Sequence, residues 1–156
     1  RGVALGLWIA VSVQIAAGGL VSGLKAGFIS ATYPKMFGQW IPSGMGTSTP
    51  GWLNLFANPV TLHFQHRWFA LVPLALAVIL WTHLRSQGAA QILRVSSGAV
   101  LLLIAVQAAL GIAVVVNHVP PSIASLHQGT AIVIFIASLL LVFLTQNTNP
   151  FSPRDE

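Results

Sequence analysis

Two short stretches hold most of the side chains that could do chemistry: TLHFQHRWFA at 61–70 and SLHQGTA at 125–131. The first offers His63, His66 and Arg67; the second offers His127 and Gln128. Neutral imidazole is a common metal ligand, and the planar guanidinium of arginine binds carboxylates in bidentate fashion. Acids are missing from the same regions. The only two, Asp155 and Glu156, stand at the C-terminal end, and there is no cysteine. Carboxylate general acid–base chemistry and carboxylate-rich Mg²⁺ or Ca²⁺ sites are therefore excluded from the chain before Arg154. So are disulfides, iron–sulfur clusters and thiolate metal sites. Zinc is a weak rival for the histidines, because a fourth ligand or an activated water would need supporting residues that cannot be identified here.

The elements that carry these residues are apolar. The chain has 156 residues, of which 55% are hydrophobic and 6% charged, with a mean hydropathy of +0.82; a soluble domain carries about 25% charged residues. The expected class is an integral membrane protein. The formal net charge of +5 comes from seven scattered Lys and Arg, which form no stripe or run of the kind a nucleic-acid binder carries, so no nucleic acid is expected as a partner. The first apolar run is too long for a signal peptide and lacks a charged n-region. The leading Arg1 leaves a processed form or a fragment open.

Four stretches, at about 3–24, 62–84, 94–116 and 122–145, are long enough to cross a hydrocarbon layer of about 30 Å as helices. A long loop at about 25–61, rich in Gly, Pro, Ser, Trp and Phe, separates the first two. The other connections are short, and a polar tail is expected at about 146–156. The pattern Gly19-x-x-x-Gly23 in the first span reads as a helix-packing surface. Arg85 and nearby Arg94 flank a short connection, which favours both termini inside and the long loop outside. Trp40, Trp52 and Trp68 then gather on the outer side, as interfacial aromatics do.

Depth links the two histidine stretches. His66 lies four residues past Leu62, about 6 Å into span two, and His127 five past Ser122, about 7.5 Å into span four. Both spans start from the same outer face, so two imidazoles reach one level from different helices. That arrangement suits two axial ligands of one porphyrin held between helices. Each histidine alone has a second reading, as a buried hydrogen-bonded side chain. His63 faces a similar side one turn nearer water and either supports a cofactor or sits idle at the interface. Arg67 suits a heme propionate or snorkels into the headgroups. His83 reads as interfacial and His118 as solvated or a loop cap. Gln128 could bond within the site or to a neighbouring helix, and Gln14 and Gln107 read as packing glue between helices.

The runs GGLVSGLKAGFISATYPKMFGQWIP, NPVTLHFQHRWFA and VPPSIASLHQGTA, from about Gly18 to Ala131, together resemble the C-terminal half of heme A synthase, most closely its mitochondrial and proteobacterial form. The resemblance implies an all-α integral membrane four-helix bundle, one half of an eight-helix pseudo-symmetric body. It implies oxidation of the C8 methyl group of heme O to the formyl group of heme A by the whole enzyme. It also implies a b-type heme (heme b) held through bis-His ligation by His66 and His127, serving electron transfer or structural support. The iron's axial ligands would be those two histidines; His63, Arg67 and Gln128 complete the candidate site from the residue reading above. The implied setting is the bacterial cytoplasmic membrane or the mitochondrial inner membrane, with the lipid bilayer, heme, and an N-terminal half or second subunit as partners.

The family's first half carries a glutamate at the start of its outer loop and its own histidine pair. The matching loop here reads GLKAGF, with Lys25 where second halves often have an acid. The chain alone is therefore expected to lack a complete catalytic site. Two functions compete: a heme A synthase or its cofactor half, and a non-catalytic four-helix b-type cytochrome subunit. The family-like loop favours the first; the acid-free interior favours the second.

Overall fold

The structure, a computed structural model, describes residues 1–147. The end of the tail expected at 146–156 lies outside the described residues. Five α-helices follow in order: α1 (Gly2–Gly23), α2 (Pro59–Phe69), α3 (Leu71–Ser86), α4 (Gln91–Val116) and α5 (Pro121–Asn147). Two short 3-10 turns, Ala26–Phe28 and Gly51–Leu55, punctuate the long loop. With α2 and α3 counted as one span, four helical spans among the described residues are long and apolar enough to cross a membrane.

The second span departs from the continuous helix read in the sequence. It begins at Pro59 and breaks at Ala70. Pro73 explains the break: it has no N–H to return to the Phe69 carbonyl, and its ring crowds that carbonyl. The start is set by Asn58, whose side-chain oxygen accepts from the N–H groups of Val60 (2.9 Å) and Thr61 (3.0 Å), with Pro59 at the first helical position. Helix α3 ends with Gly88 in the left-handed region (φ 62°), the Ala89 N–H returning to the Leu84 carbonyl at 3.1 Å. Helix α4 ends the same way through the Val119 N–H and the Val114 carbonyl at 2.8 Å. There His118 (φ 61°) and Val119 (φ 60°) take the left-handed geometry that glycine adopts without cost.

Helix α1 packs on α2, α3 and α5, while α4 packs on α3 and α5. The bundle is therefore a four-sided ring with α1 opposite α4 and α3 opposite α5. Its main buried cluster lies in one half: Leu7 and Val11 of α1, Leu80 and Leu84 of α3, Leu93 and Val100 of α4, and Leu141 and Val142 of α5. None of residues 12–23, 105–114 or 122–133 is buried. The half nearer the long loop buries fewer side chains, Met36, Leu62, His63 and Val115 among them, and it contains the histidines. The Gly19–Gly23 packing surface expected in α1 does not form. A Cβ added at either position meets nothing within 4 Å, and the close contact falls instead on Gly18.

Candidate cofactor site

Measured from the observed helix starts, His66 lies seven residues past Pro59 and His127 six past Pro121. Their depths, about 10.5 and 9 Å, still agree within one turn. Helices α2 and α5 come from the two sides of the ring that face each other, and the two imidazoles are near enough to interact electrostatically.

The same local construction surrounds each of them. A Cβ built on Gly18 of α1 would stand 3.0 Å from Cε1 of His66 and 3.7 Å from both ring nitrogens. A Cβ built on Gly111 of α4 would stand at the same three distances from His127. One turn earlier on α1, Gln14 Nε2 donates to the His66 backbone carbonyl at 2.9 Å. One turn earlier on α4, Gln107 Nε2 donates to the His127 carbonyl, also at 2.9 Å. The bond to His66 replaces a missing one: at the break, the Trp68 carbonyl, and not that of His66, accepts from the capping backbone N–H. The Nδ1 atoms of His66 and His127 are buried and complete no hydrogen bond, and the same holds for Oε1 of Gln14 and Gln107. The His127 ring lies beside the Gln107 backbone.

These observations fit a porphyrin held by two axial histidines. One nitrogen of each ring, Nδ1, is buried and unpaired, the backbones of α1 and α4 come close enough to the rings that an added Cβ would crowd them, and the surrounding helix segments 12–23, 105–114 and 122–133 hold no buried side chain. A cleft of about 240 Å³, lined by Ser12, Ile15, Ile132 and Phe135, opens at the α1–α5 seam slightly deeper than His127. Heme iron needs only two protein ligands of this kind. A zinc site is not assembled: among the described residues no group of three or more His, Cys, Asp or Glu comes together.

The other sequence-predicted residues are placed differently. His63 is 2% exposed and accepts a hydrogen bond at Nε2 from Arg67 Nε at 3.0 Å. Arg67 also donates to the carbonyls of Thr32 (2.6 Å) and Ser30 (3.0 Å). This pair ties the long loop down onto α2. Three of the five guanidinium N–H donors are engaged in it, which leaves two. Gln128, next to His127, is exposed. His83 is exposed near the end of α3, and His118 forms the turn after α4.

Sequence reasoning singles out the histidine pair but misses the glycines, and it reads the two glutamines as generic glue. The available signal was a short repeat, Val-Gln-x-Ala-x-Gly, at residues 13–18 and again at 106–111. It also missed Asn54 and Asn58, whose buried side chains bond to each other at 3.1 Å and organise the loop. Asn54 holds both ends of the Ser48 peptide, and Asn58 reaches Gly44 and Thr47.

The chain is 43% identical over 136 residues to a heme A synthase from Chelativorans sp., covering 86% of this chain and 37% of that protein. It is 40% identical over 136 residues to one from Rhizobium meliloti, with 86% and 36% covered. It is 36% identical over 151 residues to one from Rhodospirillum centenum, with 94% and 40% covered. The chain thus spans about two-fifths of the length of these curated relatives. No solved structure matches it. The model of the COX15-CtaA family, described as cytochrome oxidase assembly protein, matches residues 1–139. Resemblance and architecture converge: this multi-pass membrane chain belongs to the COX15-CtaA family.

Proposed function

We propose that this chain is the cofactor half of a heme A synthase, holding one b-type heme between His66 and His127. The observation that carries the reading is the matched environment of the two imidazoles, each with a buried Nδ1 and each against a helical glycine. Bound there, the iron would pass single electrons between its ferric and ferrous states. The protein's own part is to present two Nε2 atoms at one depth, exclude water with the apolar walls of α1, α4 and α5, and close the outer end with the loop. Arg67 retains two N–H donors beyond the loop bonds, and a heme propionate suits them. Conversion of heme O to heme A needs the other half of the body, because the sequence holds no acid before Asp155.

A second reading, a non-catalytic b-type cytochrome subunit, is favoured by that same acid-free interior. The two share a cofactor and differ in what accompanies the chain. We place the site near the outer face of a bacterial cytoplasmic or mitochondrial inner membrane, with both termini inside. The test is the absorption spectrum of the detergent-purified chain, oxidised and reduced, followed by pigment extraction. A low-spin b-type spectrum lost in His66→Ala and in His127→Ala supports the reading, and its persistence in either variant contradicts it. Heme O or heme A in the extract separates the enzyme half from the cytochrome.

A further inference from the structure

The two histidines sit in duplicated surroundings, and the duplication extends beyond them. Helix α1 pairs with α2 as α4 pairs with α5. Each pair joins a Gln-x-x-x-Gly helix to a histidine helix, with equal Cβ-to-ring distances and equal glutamine bonds. We propose that Gln14 with Gly18, and Gln107 with Gly111, are two equivalent sets of positioning residues that fix the ring planes of the axial histidines. The proposal rests on the bis-imidazole reading above.

The physics is direct. At 3.0 Å, a Cβ at Gly18 or Gly111 crowds the ring's Cε1, so with alanine there the imidazole gives by a few tenths of an ångström. The glutamine bond anchors the histidine backbone itself. At His66 this matters most, because the Pro73 break has removed the intrahelical partner of that carbonyl. Ligand orientation in turn tunes the metal, and loss of an outer positioning contact typically lowers metal-site affinity by about 10–100-fold.

Glycine-to-alanine substitution supplies its own controls. Gly19 and Gly129 lie on the same helices as Gly18 and His127, and an added Cβ meets nothing within 4 Å at either. The experiment is electron paramagnetic resonance and redox titration of the holo chain carrying Gly18→Ala, Gly111→Ala, Gly19→Ala or Gly129→Ala. The first two are expected to shift the low-spin g values and the midpoint potential, while the two controls match the unaltered chain. Unshifted spectra in Gly18→Ala and Gly111→Ala overturn the proposal. Gln14→Leu and Gln107→Leu remove the bonds to the histidine carbonyls and are expected to release heme roughly tenfold faster than the unaltered chain; equal release rates contradict the glutamines' part. If the chain holds no heme, the functional reading fails, and the positioning is decided on the heme-free protein by histidine-labelled NMR. There Gly18→Ala moves the His66 ring signals and Gly111→Ala those of His127; unmoved signals overturn it.

Discussion

Replacing Arg67 with leucine should loosen the long loop before it disturbs anything else. The guanidinium makes three hydrogen bonds, to His63 Nε2 and to the carbonyls of Ser30 and Thr32. Ser30 and His63 are 5% and 2% exposed, so two of the three acceptors lose their partner in a buried setting. Each orphaned buried group costs about 1–3 kcal/mol, and the more open Thr32 contact adds little, so the loop should lose roughly 2–5 kcal/mol of local stability. The leucine stem still covers part of the apolar surface beneath it, which favours the lower end. Hydrogen exchange of the heme-free chain in detergent measures this locally. A loss of 3 kcal/mol corresponds to roughly a hundredfold faster exchange for amides that open with the loop. The effect should concentrate in residues 28–39, including the reciprocal Met36–Gln39 backbone pair at 3.0 and 2.9 Å, and leave the core helices near Leu93 and Leu141 unchanged. Had Arg67 no task except to meet a carboxylate ligand, the heme-free loop would exchange at its original rate. That result would refute the clamp.

Three further outcomes follow from the same geometry. Asn58→Ala removes the cap of α2 together with bonds to Gly44, Thr47 and Asn54, and should destabilise the chain by about 2 kcal/mol in thermal melts, whereas Asn58→Asp should retain the cap and lose less. His118→Gly relieves a left-handed residue at φ 61° and should raise stability by about 0.5–1 kcal/mol with no change in heme content. His83→Ala should leave the absorption spectrum of the chain intact, since His83 is exposed near the far end of α3.

The sequence-level features that carried over are those with a period or a count behind them. Hydropathy located the spans because each needs about 20 apolar residues, and a simple residue count put His66 and His127 at one level because helical rise is constant. Pro73 is equally visible, yet its consequence is not, since membrane helices often tolerate proline; only the passing over of the His66 carbonyl at the Ala70 cap exposes the break. Gly18 was hidden beside Gly19, and the more conspicuous Gly19–Gly23 spacing drew the packing assignment. Spacing names a face but not the partner that approaches it. The Val-Gln-x-Ala-x-Gly repeat is short, and its two copies stand at very different distances from their histidines because one pair is joined by the long loop. Arg67 was read toward headgroup or propionate because a carbonyl acceptor more than 30 residues away leaves no mark in sequence.

The central claim is that one iron is held between His66 and His127. The most direct measurement is near-infrared magnetic circular dichroism of the oxidised, purified chain, with heme quantified per polypeptide. The account predicts one heme per chain with the charge-transfer band of two histidine ligands, lost when either His66 or His127 becomes alanine. A band diagnostic of a different ligand pair, or a full complement of bis-histidine heme in either variant, would contradict it.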